Sequence, residues 1–352
     1  MRLATFVHIS DLHIGDIDPE AIVKDAVARE LWAKGGPVFD GLLGHSHKSL
    51  VRLEQAYDKL RADEDAKLIV TGDLTAFGAE SQFDTAADFL GQVLKPPKTV
   101  RALGLREKNW AKLAVPGNHD HWSGRPVIVG RPTVGLAKYF SGLPTTHVLP
   151  LPSGNTVRFL RIDSDADVQP FSPQRVLARG CFSTQLQKLA GELPVPQQRE
   201  IRVLLIHHSF QCAGVCLAMT SQSKSALADF IVDQAVSVIL CGHIHQPPFV
   251  GTMEVIHLRQ KKMFLEARSG TTTQLSTLPF HWTNLVGNRP KRMDRWPNSF
   301  LVHRLIQQDD GSIDWCTETH LEGPYGFRNA PAVSGLPKEF SLKVWRPNAD
   351  QN

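Results

Sequence analysis

Cysteine is scarce in this chain, with five residues in 352. That count excludes a disulfide scaffold, so the fold must rest on an ordinary hydrophobic core. Cys212 and Cys216 lie close together, but neither zinc-type spacing nor a second pair accompanies them. They read as reduced, unrelated thiols. No stretch approaches the ~20 consecutive apolar residues of a membrane span, and no secretory leader precedes the first apolar run. The expectation is a cytoplasmic protein that does not enter membranes. Charge of neither sign dominates: 39 basic against 35 acidic residues leave a net +4. That is too mild to imply nucleic acid, and it is compatible with any anionic substrate. The chain also lacks internal repeats and low-complexity tracts.

What the chain has is an ordinary globular composition, 42% hydrophobic, arranged as short apolar runs. Runs at residues 5–9, 67–70, 111–115, 157–162, 201–206 and 236–240 are rich in Val, Ile and Leu. Near-continuous runs of this length predict strands covered on both faces. Helical spacing separates them. Leu50, Leu53, Tyr57 and Leu60 form one stripe, and Phe83, Ala87, Leu90 and Leu94 another. Shorter helices are predicted over 185–193 and 223–233. Strands alternating with helices indicate an α/β architecture. After Cys241 the pattern changes to strands without long helices, at 255–257, 263–267, 300–306 and 313–316. These predict a second, more antiparallel sheet. The domain reading is a catalytic unit over residues 1–320, then an extended tail over 321–352 that packs on the domain or on a neighbouring subunit. Residues 340–344 of the tail are an edge-strand candidate.

Five polar motifs end the predicted strands in order: Asp11-Leu12-His13, Gly72-Asp73, Gly117-Asn118-His119-Asp120, His207-His208 and Gly242-His243-Ile244-His245. Parallel strands bring such loops to one edge, where α/β sheets bind ligands. In Asp-x-His and His-x-His, alternate residues point the same way on an extended backbone, so each pair can grip metal. A carboxylate such as Asp73 has two oxygens and can bridge two ions, and Asn118 offers a neutral carbonyl oxygen. Mixed nitrogen and oxygen donors suit manganese, iron, zinc or cobalt better than calcium or magnesium. Two such ions ~3.5–4 Å apart activate water and polarise a phosphoryl group. Asp-x-His and Gly-Asp are weak alone and Gly-Asn-His-Asp and Gly-His-Ile-His sharper; no single motif decides it, and the ordered set carries the reading. Gly44-His45-Ser46-His47 has the same shape as the last motif, but it follows no strand and leads into a helix, so it reads as a pre-helix loop. His147, His257, His281, His303 and His320 have no motif context and read as surface or satisfied core histidines, whereas His121 borders the third motif.

The five motifs resemble the signature of the calcineurin-like metallophosphoesterases, and the likeness spans the chain from its first strand to the Gly-His-x-His loop. Ser269-Gly270-Thr271 and Asn298-Ser299-Phe300 further resemble bacterial members related to class III cyclic-nucleotide phosphodiesterases. The resemblance implies a four-layer β-sandwich of two mixed sheets flanked by helices. It implies two divalent metals, one held by Asp11, His13, Asp73 and His245, the other by Asp73, Asn118, His207 and His243. It further implies that a hydroxide bridging the metals attacks phosphorus. His119 would contact phosphate and protonate the leaving group, with Asp120 orienting the loop. Asn118, His119 and His208 would bind substrate. The fourth motif reads His207-His208-Ser209-Phe210, where many cyclic-nucleotide-type relatives carry two prolines after the histidines. The expected ligand is kept, while the loop shaping the substrate mouth differs.

Substrate choice belongs to loops around this edge. Residues 122–146 carry Arg125 and Arg131, and residues 279–297 carry Trp282, Arg289, Lys291, Arg292, Arg295 and Trp296. These groups suit phosphate capture with ring stacking; the plainer reading, which we prefer, is a solvated loop anchored by two tryptophans. The favoured function is hydrolysis of a small phosphodiester or phosphomonoester, with a homo-oligomer compatible with the tail. A superfamily nuclease acting on DNA or RNA is the alternative, disfavoured by the lack of a broad basic track. A non-catalytic metal-binding scaffold is a third, disfavoured by the complete ligand set.

Overall fold

Alternation along each strand divides the apolar runs between three cores. In β1 (Arg2–Ile9), Phe6 faces one way and Val7 and Ile9 the other. In β6 (Glu200–Leu205) and β7 (Val236–Cys241), Val203, Leu205, Val238 and Leu240 face one core, while Leu204 and Ile239 face another. Strands buried on both faces read as unbroken hydrophobic runs for this reason. The structure, a computed structural model, describes residues 1–15, 45–94, 102–122, 134–245, 248–273, 297–323, 325–329 and 339–347.

Two mixed sheets result. The first contains β1, β2 (Lys67–Thr71), β3 (Ala114–Val115), β10 (Ser299–Gln307), β11 (Ile313–Gly323), β12 (Gly326–Asn329) and β13 (Glu339–Trp345). Its order is β12-β11-β10-β1-β2-β3, with β13 also paired to β11. The second contains β4 (Thr146–Pro150), β5 (Thr156–Arg161), β6, β7, β8 (Phe249–His257) and β9 (Gln260–Arg268), in the order β4-β5-β6-β7-β9-β8. One core lies between the sheets and includes Phe6, Phe159, Val203, Leu240 and Trp315. A second joins the first sheet to α1 (His47–Glu64) and α2 (Glu80–Gly91) through Leu50, Leu53, Tyr57, Phe89 and Leu90. The third joins the second sheet to α5 (Ser183–Glu192) and α6 (Ser221–Asp233). Short helices α3 (Val134–Phe140) and α4 (Pro173–Val176) lie in the connections. The layers are therefore helices, sheet, sheet, helices, the sandwich expected from the motifs.

Three expectations need correction. The strands after Cys241 do not build a sheet of their own. β9 runs parallel to β7 in the second sheet, and β10 pairs antiparallel with β1 in the first. The pairing His8↔Leu301 joins residues almost 300 positions apart, a contact invisible to local periodicity. Residues 111–113 do not continue the third strand; Trp110–Leu113 is a 3₁₀ turn, and the strand is Ala114–Val115 alone. The strand predicted over 313–316 runs on to Gly323. Position 320 thus lies inside β11, and the described parts of the tail pair with that strand as β12 and β13.

β1, β2 and β3 run parallel to one another, as do β5, β6 and β7. The loops after their carboxyl ends carry the five motifs and form one edge of the sandwich.

Candidate metal centre

The five loops are fastened to one another before any ligand is considered. Asp11 N–H donates to Gly72 O at 3.0 Å and His13 N–H to Asp73 O at 3.0 Å, extending the β1–β2 pairing into the loops. Gly242 N–H donates to His207 O at 3.0 Å. His243 N–H donates to Asp11 Oδ2 at 3.1 Å and so joins the two sheets. Asp120 accepts from Gly117 N–H at 2.9 Å, Leu74 N–H at 3.2 Å, Thr75 N–H at 2.9 Å and Thr75 Oγ1 at 2.8 Å. It is fully buried and acts as the rivet between the second and third loops.

Backbone geometry departs from the extended form expected for Asp-x-His. Asp11, His13, Asp73, His243 and His245 have φ of 53°, 48°, 50°, 80° and 51°. Each left-handed residue costs ~1–2 kcal/mol, and such strain collects where surrounding structure enforces it, at functional sites. The left-handed turns fold the chain back on itself, so that side chains from one short motif converge.

Two groups of donors form. Asp11, His13, Asp73 and His245 make one, and Asp73, His207 and His243 the other; donor atoms in each lie within 4.8 Å of one another. His13 Nε2 is 3.0 Å from His245 Nε2, and His245 Nε2 is 3.1 Å from Asp11 Oδ1. In the second group His207 Nε2 is 3.3 Å from Asp73 Oδ2, 3.1 Å from His243 Nδ1 and 3.2 Å from Asn118 Oδ1. Donor atoms converging at about 3 Å are close enough to share one cation. Asp11 Oδ1 and His13 Nδ1 are buried without a hydrogen-bond partner among the described residues. Buried polar atoms are rarely left so, and an Asp11 oxygen facing imidazole nitrogens fits a cation between them.

The far sides of the imidazoles fix their tautomers. His207 Nδ1–H donates to Thr71 O at 2.7 Å, which leaves Nε2 bare toward the group. His243 Nε2–H donates to Ala178 O at 3.2 Å, which leaves Nδ1 bare. A carbonyl behind a metal-facing histidine is the usual orienting partner. Burial opposes a charge on His207, but the Asp73 and Asp11 carboxylates outweigh it and push the group up to about 10. Burial, together with neighbouring imidazoles, holds His13 and His243 well below the ordinary value. The same carboxylates would favour a divalent cation in place of that second proton on His207.

His119 belongs to neither group. Its Nδ1–H donates to Ala76 O at 2.8 Å, and Nε2 takes no hydrogen bond from any described residue. His208 is fully buried; Nε2–H donates to Ala178 O at 3.1 Å and Nδ1 accepts from Ser164 Oγ at 2.7 Å. Both of its nitrogens are thereby engaged behind His243, whose ring centroid is 4.1 Å away. His121 pairs with Asp163, whose two oxygens each lie 2.9 Å from Nε2. In the look-alike motif, His45 belongs to neither donor group. Ser46 caps α1, accepting from Ser49 N–H, and His45 Nδ1 accepts from Gly15 N–H at 3.3 Å. His303 is satisfied in the core, and His257 pairs with Asp229 at 2.6 Å. Arg125, Arg131, Trp282, His281, Arg289, Lys291, Arg292, Arg295 and Trp296 lie outside the described residues. Sequence reasoning missed the Ala178 and Thr71 carbonyls, because backbone acceptors leave no mark in residue identity. Asp163 follows the apolar run of β5 and had that much signal.

A comparison with curated proteins returned no match. The family model for calcineurin-like phosphoesterase matches residues 4–247, a span that takes in all five motifs. The family carries two metal ions as a rule and hydrolyses phosphoesters with them, and the two donor groups are the candidates for that role here. The chain belongs to the calcineurin-like phosphoesterase family.

Proposed function

We propose that the protein hydrolyses a small phosphodiester or phosphomonoester with two divalent ions. The carrying observation is that Asp73 belongs to both donor groups, the place a bridging ligand must take. On this reading Asp11, His13, Asp73 and His245 hold one ion, and Asp73, Asn118, His207 and His243 the other. The donors suit manganese, iron, zinc or cobalt. When bound, such a pair supplies Lewis acidity that activates water near neutral pH and polarises the phosphoryl group.

The chain's own residues do the rest. Asn118 turns Oδ1 toward His207, which leaves its amide N–H groups for a phosphoryl oxygen. His119, pinned through Nδ1, offers Nε2 to the substrate; Nε2 takes up a proton from solvent, and the imidazolium passes that proton to the departing alkoxide, returning to the Nδ1–H form. Asp120 holds this loop in place rather than touching substrate. His208, with both nitrogens engaged, positions His243 instead of contacting substrate. The two segments that resemble class III cyclic-nucleotide phosphodiesterases meet beside the first motif. Ser299 N–H donates to Thr271 O at 2.8 Å, and Thr272 N–H reaches Ser10 O beside the first motif. The five cysteines are unpaired, which supports a reducing compartment such as the cytoplasm. Among the described residues, no helix is long and apolar enough to cross a membrane.

The test is a panel assay with manganese supplied, comparing nitrophenyl phosphate, bis-nitrophenyl phosphate, cyclic nucleotides and glycerophosphodiesters. Hydrolysis of at least one, lost by orders of magnitude in Asn118→Ala and His207→Ala without loss of fold, is expected. Metal-loaded protein that cleaves none of them contradicts the reading.

A further inference from the structure

The imidazole of His119 is held by more than its hydrogen bond. A histidine ring has a broad, roughly two-fold torsion about its second side-chain bond. A half-turn exchanges Nδ1 with a carbon and carries Nε2 away from its former place. Any role that depends on one nitrogen therefore needs a device that stops the flip. Three contacts surround this ring. Ala76 O accepts from Nδ1–H at 2.8 Å. The ring of His13 meets it edge to face, centroids 4.6 Å apart at 85°. The indole of Trp122 lies flat against it, centroids 3.9 Å apart at 22°.

Trp122 is itself fixed from two sides. Phe77 stacks on it at 6.3 Å and 18°. The backbone N–H of Trp122 donates to His119 O at 3.1 Å. Its carbonyl lies 2.4 Å from where a Cβ on Gly78 would stand, and Gly78 has φ of +70°. A side chain at position 78 would therefore push the tryptophan off its seat. The Ala76-Phe77-Gly78 turn thus supplies both the acceptor for Nδ1–H and the outer ring of the stack. That turn is anchored in its own right: Ala76 N–H donates to Ile14 O at 3.0 Å, and Phe77 N–H to Gln82 Oε1 at 2.8 Å.

We propose that Trp122, backed by Phe77, is a positioning residue that locks His119 in one ring orientation and one tautomer, with Nδ1–H on the Ala76 carbonyl and Nε2 kept for the substrate. What Nε2 then does rests on the phosphoesterase reading; the lock is a property of the loops alone. A tryptophan that merely fills space would alter stability and leave the tautomer untouched.

The experiment reads the tautomer directly. The full-length chain, labelled with nitrogen-15 at histidine and supplied with diamagnetic zinc, is examined by two-bond nitrogen–proton correlation, with His119 assigned through its loss in His119→Gln. The native protein is expected to show His119 only as the Nδ1–H form. Trp122→Ala should bring in the Nε2–H form, Phe77→Leu should do so to a smaller extent, and Trp122→Phe should restore the native pattern. In parallel, kcat for an alkyl phosphodiester should fall on the order of fivefold to tenfold in Trp122→Ala, with KM steady and with bis-nitrophenyl phosphate little affected. A single Nδ1–H tautomer retained in both Trp122→Ala and Phe77→Leu overturns the proposal, whatever hydrolysis does. A mixed tautomer with no hydrolysis in any variant keeps the lock and removes the phosphoesterase reading instead.

Discussion

The backbone N–H of His119 donates to Asp73 Oδ1 at 2.9 Å, tying the third loop to the one carboxylate common to both donor groups. Oδ2 is left toward His207 and His13, at 3.3 Å and 3.7 Å. One hydrogen bond therefore sets the orientation of the shared carboxylate and also the placement of His119.

Close approach at that bond explains the glycine of Gly117-Asn118-His119-Asp120. A Cβ on Gly117 would stand 2.2 Å from Asp73 Oδ1 and 2.4 Å from Asp73 N. Gly117→Ala must then displace the carboxylate. Misplacing a catalytic group by about 1 Å costs roughly 10²-fold, so kcat is expected to fall about that far and metal affinity with it. Titration calorimetry with zinc checks the second half; unchanged affinity would count against Asp73 as a ligand.

His119→Ala separates proton delivery from metal chemistry. General acid catalysis contributes roughly 10²–10⁴-fold, and only where the leaving group needs a proton. Rates for alkyl esters should drop by that range, while esters of nitrophenolate should lose far less. Equal losses on both would show that His119 acts in some other way.

A buried chain of four side chains gives a pH prediction away from the centre. Trp315 Nε1–H can only donate, so His303 Nδ1 accepts, at 3.1 Å. His303 Nε2–H then donates to His8 Nδ1 at 3.2 Å, and His8 Nε2–H to Thr71 Oγ1 at 2.8 Å. Both histidines are thereby held neutral, and burial lowers His8 to about 3. The unfolded chain takes up this proton near the ordinary value of 6.5, so the contribution of His8 to stability is complete above that pH and declines as pH falls toward 3. The slope is ~1.4 kcal/mol per pH unit for one group. His8→Asn should flatten the acid limb by about that amount in urea melts, and an unchanged limb would show that His8 is not held neutral.

The centre was more legible than the sheets. Strand-ending motifs stood out because polar clusters such as Gly117-Asn118-His119-Asp120 interrupt apolar runs, and all five loops meet at one edge. Long-range pairing was not legible: β10 lies against β1, and nothing near residues 300–306 names that partner. The left-handed turns at Asp11 and His13 were missed because only tertiary contacts enforce that conformation on residues other than glycine. Trp122 escaped notice because its partner, the ring of Phe77, comes from the loop after another strand.

The central claim is that Asp73 joins two ions at one site. Metal analysis of the full-length chain, saturated with zinc and then freed of excess, measures this most directly, with Asp73→Ala beside it. The account predicts about two ions per chain in the native protein and fewer than one in the variant. A native protein that keeps one ion or none, or an Asp73→Ala protein that still keeps two, would contradict it.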